Sequence, residues 1–198
     1  SALKKNRNKS DLQKRAIEAL EAYLLNIPDN GLTLKELLGV EGIASREYFR
    51  AIFEECNWAA RRPRVKQDEI NCLMDIGYSM LFNVVECLLS VYGFDTYQGV
   101  YHQQFYQRKS LVCDLVEPFR PIVDLAIRKA HNLGQIRKED FSIANGQFTL
   151  YGSKAKPYVA WMLEAILSRR TDLFTYVQNY YRAFMRERVI EEYPVFDL

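Results

Sequence analysis

Asp68-Glu-Ile-Asn-Cys-Leu-Met-Asp-Ile-Gly-Tyr-Ser-Met-Leu-Phe-Asn-Val-Val-Glu-Cys-Leu-Leu-Ser-Val-Tyr92, followed by Gly93, is the stretch whose reading decides the fold. Its apolar residues predict one long helix over 68–92, with Gly93 as the C-terminal stop. Asp75 and Glu86 interrupt the most apolar part, 72–94. The uncharged run is far short of the ~20 residues that a membrane-spanning helix needs. The reading is therefore a long helix of a globular domain.

Working outward on the N-terminal side, Arg61-Arg62-Pro63-Arg64-Val65-Lys66 reads as a basic loop, and residues 44–60 read as helix. Gly39 and Gly42 bracket Glu41 and place it at a helix junction. Thr33-Leu-Lys-Glu36 has the pattern of a capping box. Ser10 or Asp11 opens a first helix, in which Leu12, Ala16, Ile17, Leu20, Tyr23 and Leu24 recur at helical spacing. Pro28-Asp29-Asn30-Gly31 breaks it. Residues 1–9, with Lys4, Lys5, Arg7 and Lys9, read as a basic linker or frayed terminus, leaving 10–198 as the helical domain.

On the C-terminal side, the His102 region reads as loop passing into a helix over 110–119. Pro121 suits the first turn of another helix, which ends near Gly134. Asn145-Gly146 favours a type I′ turn, so 141–150 is expected to be a short hairpin. Helices over 153–169 and 171–192 complete the chain. The fold class is mainly α: a single multi-helix domain with one short β-hairpin.

Bulk properties agree. At 198 residues, 48% of them apolar, the chain is long enough for one domain with a real core. A net charge of +2 excludes an acidic disordered tail and does not demand nucleic acid. Cys56, Cys72, Cys87 and Cys113 form no C-x-x-C pair, which argues against structural zinc and a disulfide framework and fits a reducing, cytoplasmic setting. The N-terminus has no apolar core of a secretory signal.

Candidate chemistry concentrates in Gly99-Val100-Tyr101-His102 and Ser110-Leu-Val-Cys-Asp114-Leu-Val-Glu117-Pro-Phe-Arg120-Pro121. His102 is one of two histidines. On a helix, Asp114 and Glu117 are i, i+3 neighbours on one face. An imidazole with carboxylates is a ligand set for Mn²⁺, Mg²⁺ or Zn²⁺. Spacing alone equally allows a structural His102, and ion pairs of Asp114 or Glu117 with Arg108 or Arg120. His131 reads as a helix C-terminal dipole partner. The stripe Tyr176, Tyr180, Tyr181 and Phe184 reads as packing rather than a base-stacking platform.

The order of these pieces resembles one family, the CRISPR spacer-acquisition integrases. The resemblance runs through Glu41-Gly42-Ile43-Ala44 with Tyr48-Phe49, Arg62-Pro63 and Asn71, and Gly77-Tyr78-Ser79-Met80-Leu81. It continues through Gly93-Phe94-Asp95, Gly99 to His102, Ser110 to Pro121, and Ile136 to Phe141 with the hairpin. It implies the family's C-terminal catalytic helical domain, in which Glu41, His102 and Glu117 ligate one divalent metal, Mg²⁺ or Mn²⁺, with Asp114 as supporting acid. It further implies insertion of spacer DNA into the repeat array, a DNA 3′-hydroxyl attacking a phosphodiester. Arg61, Arg62, Arg64, Arg108 and Lys109 would then contact DNA. Implied partners are prespacer and repeat DNA, a second copy of the intact protein and the small second adaptation protein, with no membrane. The family's β-rich N-terminal dimerisation domain has no counterpart before Ser10, so a folded chain handicapped in paired integration is expected. Two other functions stay open: a metal nuclease hydrolysing branched or single-stranded DNA, and a non-catalytic helical DNA-binding module.

Overall fold

The computed structural model describes residues 2–197 apart from 6, 7, 29, 30, 57 and 64. The expectations for Arg7, for the Asp29-Asn30 break and for Arg64 lie outside the described residues. The rest form a mainly α domain with one two-stranded antiparallel hairpin.

Helix α1 (Asp11–Leu25) begins where Ser10 Oγ accepts the Gln13 N–H at 3.1 Å. Helix α2 (Leu34–Ile52) opens on the expected capping box: Glu36 accepts from the Thr33 N–H at 2.9 Å, and Thr33 Oγ1 accepts from the Glu36 N–H at 3.4 Å. No junction follows. Helix α2 runs unbroken through Gly39 and Gly42, so Glu41 sits in mid-helix. Each glycine costs a helix only ~1 kcal/mol, and the cap with packing on α1 outweighs that. The helix expected over 44–60 stops at Ile52, where Phe53 caps it and Glu54–Cys56 form a 3₁₀ turn.

Helix α3 (Glu69–Val91) is the decisive element. Asp68 Oδ1 accepts the Asn71 N–H at 2.7 Å, and Gly93 takes φ +73° beyond its end. Leu73, Met74, Leu81, Val85 and Leu89 are buried, and four other helices pack on it: α4 (Ser110–Val116), α5 (Arg120–Asn132), α6 (Ala155–Ser168) and α7 (Arg170–Met185). Among the described residues α3 is the one helix long and apolar enough to cross a membrane. Here those four helices pack on it, and its two interrupting acids are paired, Asp75 with Arg61 and Glu86 with Lys109.

The helix expected over 110–119 is shorter. Pro118, without an N–H, ends α4 at Val116, and Glu117–Phe119 form a 3₁₀ turn leading into α5. Helix α5 stops before Gly134 at φ +64°. Strands β1 (Ser142–Ala144) and β2 (Gln147–Thr149) pair Ile143 with Phe148. Asn145 and Gly146, at φ 52° and 72°, make the expected primed turn. The Phe148 N–H donates to Lys66 O at 2.7 Å, tying the hairpin to the basic loop.

Helix α7 ends at Met185, short of the expected 192, and Ile190–Glu192 form a separate 3₁₀ turn. Its aromatic stripe packs against other rings, with Tyr180 buried and Phe184 half exposed. Tyr176 meets Phe119, Tyr180 meets Tyr193, Tyr181 stacks on Tyr92 and Phe184 meets Phe94. His131 lies in the last turn of α5 as expected. The N-terminal stretch differs from a frayed end: Ala2–Lys5 form a 3₁₀ turn with Ala2 and Leu3 buried against α1 and α2. All four cysteines are free thiols.

Candidate active site

Asp114, on α4, organises the site. One of its carboxylate oxygens accepts the N–H groups of Val100 at 2.6 Å and Tyr101 at 3.0 Å, and the other accepts the His102 N–H at 2.9 Å. That second oxygen also faces His102 Nδ1 at 2.6 Å. The turn 99–102 is thus folded onto one carboxylate. Glycine is required at its start, because a Cβ on Gly99 would lie 2.5 Å from His102 O and 2.7 Å from Ser110 Cβ. With Nδ1 held, Nε2 is the imidazole nitrogen left for another partner. Metal-bound histidines are oriented by a carboxylate in this way.

Two further carboxylates stand near this turn. Glu41, on α2, accepts from the Tyr101 hydroxyl at 2.7 Å. Glu117, at the α4–α5 turn, pairs with Arg120 at 2.8 Å. Burial pushes the Glu117 carboxyl above the ordinary glutamate range; Arg120 opposes the shift, and the charges of Glu41, His102 and Asp114 also act on it. Desolvation and the Glu41 carboxylate hold the Tyr101 hydroxyl up at about 12. Among the described residues, however, no three His, Cys, Asp or Glu side chains stand close enough to hold a metal ion as placed. Of the four, the structure pairs His102 with Asp114, whereas Glu41 is engaged by Tyr101 and Glu117 by Arg120.

The basic residues divide. The Arg61 guanidinium contacts Asp75 at 2.6 Å and Asn71 at 3.1 Å and lies 5.5 Å from the Tyr78 ring centroid, a structural engagement. Asn71 explains the shape of this loop: it is fully buried, and its side chain bonds Ala60 O, the Arg62 N–H and Asp68. Lys109 is held by Glu86. Arg62 and Arg108 are exposed. Arg61, Lys66 and Arg120 line a cleft of about 790 Å³ beside Tyr78, Ser79 and Asn83.

Two residues of this region have no counterpart among the candidates read from sequence. Tyr101 carries no pattern of its own. Asp124 is a fully buried acid that accepts from the Tyr78 hydroxyl at 2.6 Å and the Tyr48 hydroxyl at 3.0 Å. An acid inside the apolar run Ile122-Val-Asp-Leu125 is the signal that marks it.

The same chain has relatives among known proteins. The profile of the family described as CRISPR associated protein Cas1 matches residues 1–162. A CRISPR-associated endonuclease Cas1 of Thermodesulfovibrio yellowstonii is 30% identical over 182 residues, covering 89% of this chain and 57% of that protein. The chain spans 31% and 57% of the first two curated relatives it matches, under two thirds of their length. A casposase bound to integration product superposes with a TM-score of 0.74 at 22% identity, over 93% of this chain and 64% of that one. A Cas6-RT-Cas1–Cas2 complex superposes with a TM-score of 0.85 at 23% identity, over 98% of this chain and 23% of that one. At such identities the likeness is one of fold. The profile match extends over well more than half of the 198 residues, and the chain belongs to the Cas1 family.

Proposed function

We propose that this chain is a metal-dependent DNA endonuclease and integrase domain of CRISPR adaptation. The observation that carries the reading is His102, fixed by Asp114 through Nδ1 with Nε2 left over, with Glu41 bonded to the adjoining Tyr101 and Glu117 three residues beyond Asp114. One imidazole nitrogen and two carboxylates fit Mn²⁺ or Mg²⁺, the nitrogen favouring Mn²⁺ as a substitute. When bound, the ion supplies Lewis acidity toward a phosphoryl oxygen and stabilises charge on the attacking or leaving oxygen. His102, Glu41 and Glu117 would hold it. Asp114 keeps the imidazole oriented, Tyr101 keeps Glu41 turned toward the 99–102 turn, and Arg120 balances Glu117 until another cation does. The reaction would be in-line attack of a DNA 3′-hydroxyl on a phosphodiester, with a 3′-hydroxyl leaving. Exposed Arg62 and Arg108 would meet DNA phosphates, with Arg61, Arg64 and Lys109 nearby in sequence.

The partners in this reading are prespacer and repeat DNA, a second copy of the intact protein and a small second adaptation protein. The last is in keeping with the fold shared with a Cas1–Cas2 complex. The setting is the prokaryotic cytoplasm. An assay of strand joining against cleavage tests the reading, using prespacer-like DNA, a repeat-bearing target and Mn²⁺. Joined product that disappears in His102→Ala, with helical circular dichroism unchanged, is the expected result. Cleavage without joining would assign hydrolysis instead, and neither activity would leave a DNA-binding module.

A further inference from the structure

Asp124 takes no part in the chemistry above, yet it is among the most fully engaged side chains in the fold. It is fully buried and accepts two hydroxyl donors from two different helices, Tyr48 of α2 and Tyr78 of α3. A buried carboxylate is tolerated only when so satisfied. What distinguishes this cluster from an ordinary buried hydrogen bond is where it sits along each element. Glu41 precedes Tyr48 by seven residues on α2, two turns along the same face, ~10.5 Å on the axis. Glu117 precedes Asp124 by the same seven residues on the 3₁₀ turn and α5. The Tyr48–Asp124 bond therefore ties α2, which carries Glu41, to α5, which the 3₁₀ turn carrying Glu117 leads into.

The second donor reinforces the arrangement. The Arg120 guanidinium lies 5.1 Å from the centroid of the Tyr78 ring while also pairing with Glu117 at 2.8 Å. The ring whose hydroxyl binds Asp124 thus supports the cation that holds Glu117. A continuous set of contacts runs from Asp124 through Tyr78 and Arg120 to Glu117, and another from Asp124 through Tyr48 along α2 to Glu41.

We propose that Tyr48, Asp124 and Tyr78 form a register lock that sets the Glu41–Glu117 separation, making Asp124 and Tyr48 positioning residues for the site. The lock rests on the metal-site reading only for its consequence, cation affinity; its effect on the two elements stands without a metal. Two measurements on the full chain separate these. Amide hydrogen exchange without metal reads the lock. In Tyr48→Phe and Asp124→Asn, the amides of Glu41 and of Arg120, whose N–H is bonded to Glu117 O, should exchange ~10-fold faster, while α7 amides are unchanged. Mn²⁺ titration by calorimetry reads the consequence: affinity should fall ~10-fold in both variants, the size of effect that groups orienting metal ligands have. Leu173→Ala, a core deletion on α7, should lower the melting temperature without changing Mn²⁺ affinity. Unchanged exchange at Glu41 and Arg120 in Tyr48→Phe overturns the lock. Altered exchange with no Mn²⁺ binding by the wild-type chain upholds the lock and overturns the metal reading instead. Should Asp124→Asn fail to fold, Tyr48→Phe, which removes one hydroxyl and leaves the Tyr78 bond, decides alone.

Discussion

Asp114 is the residue on which the candidate site depends most directly. Three backbone N–H groups and an imidazole converge on its two oxygens. Asn has the same shape but one acceptor oxygen, so Asp114→Asn leaves donors of the 99–102 turn unmet. We expect a loss of ~1–3 kcal/mol of stability in urea melts, with metal-dependent cleavage reduced at least ~10-fold. Wild-type cleavage in Asp114→Asn would mean that His102 needs no orienting partner. Asp124 yields a different prediction, in pH. Desolvation raises its pKa from 3.8 to about 6, against the lowering effect of the Tyr78 and Tyr48 hydroxyls and of Arg120 and Arg61. The folded value exceeds the unfolded one, so its contribution is fully present below the unfolded pKa and is lost as pH rises through the folded pKa. Relative to Asp124→Asn, which does not titrate, the wild type should lose ~3 kcal/mol of stability between ~pH 4 and ~pH 7. A pH-independent difference between the two in urea melts would contradict that burial.

At the scale of elements, what is legible in the sequence and what is hidden have separate physical causes. Helix α3, the Thr33–Glu36 cap, the Gly134 stop and the Asn145-Gly146 turn all follow from local chemistry, and each is present. Two glycines weaken a helix locally and so point to a junction at Glu41, whereas packing on α1, invisible in a local window, keeps α2 whole. The Ala2–Lys5 turn is hidden for the same reason: Leu3 is buried against distant residues, not near ones. Resemblance names the candidate residues but not their partners, since Tyr101–Glu41 and Tyr48–Asp124 join positions far apart in the chain. Two substitutions test the element level. Thr33→Ala removes the cap of the helix bearing Glu41 and should cost ~1 kcal/mol in thermal melts. Gly77→Ala should cost ~1–3 kcal/mol, because its Cβ would lie 2.4 Å from Val123 Cγ1 where α3 crosses α5. Thermal melts that place Gly77→Ala at or above wild type would show that this crossing has room to spare.

Across the whole molecule, positive charge is distributed between fold and surface, and the basic loop straddles both. Arg61 belongs to the fold: its guanidinium closes onto Asn71 and Asp75 of α3 and its side chain is only 15% exposed. Arg62, the next residue, gives its backbone N–H to Asn71 and leaves its side chain at the surface, as does Arg108 beyond the 99–102 turn. Removing the Arg61 side chain leaves Asp75 without its partner, whereas removing those of Arg62 and Arg108 takes charge from the surface and leaves the core intact. The two kinds of variant should therefore separate cleanly. Arg61→Ala should lower the melting temperature, in keeping with a cost of ~1–3 kcal/mol for a partly buried pair left open. Arg62→Ala with Arg108→Ala should melt as wild type does. If both residues meet duplex phosphates, the slope of log affinity against log salt should flatten by ~1.8, about 0.9 for each phosphate no longer neutralised. Titrating one duplex at several salt concentrations against wild type and the double variant measures this. A double variant with an unchanged slope would remove these two arginines from the proposed DNA contacts.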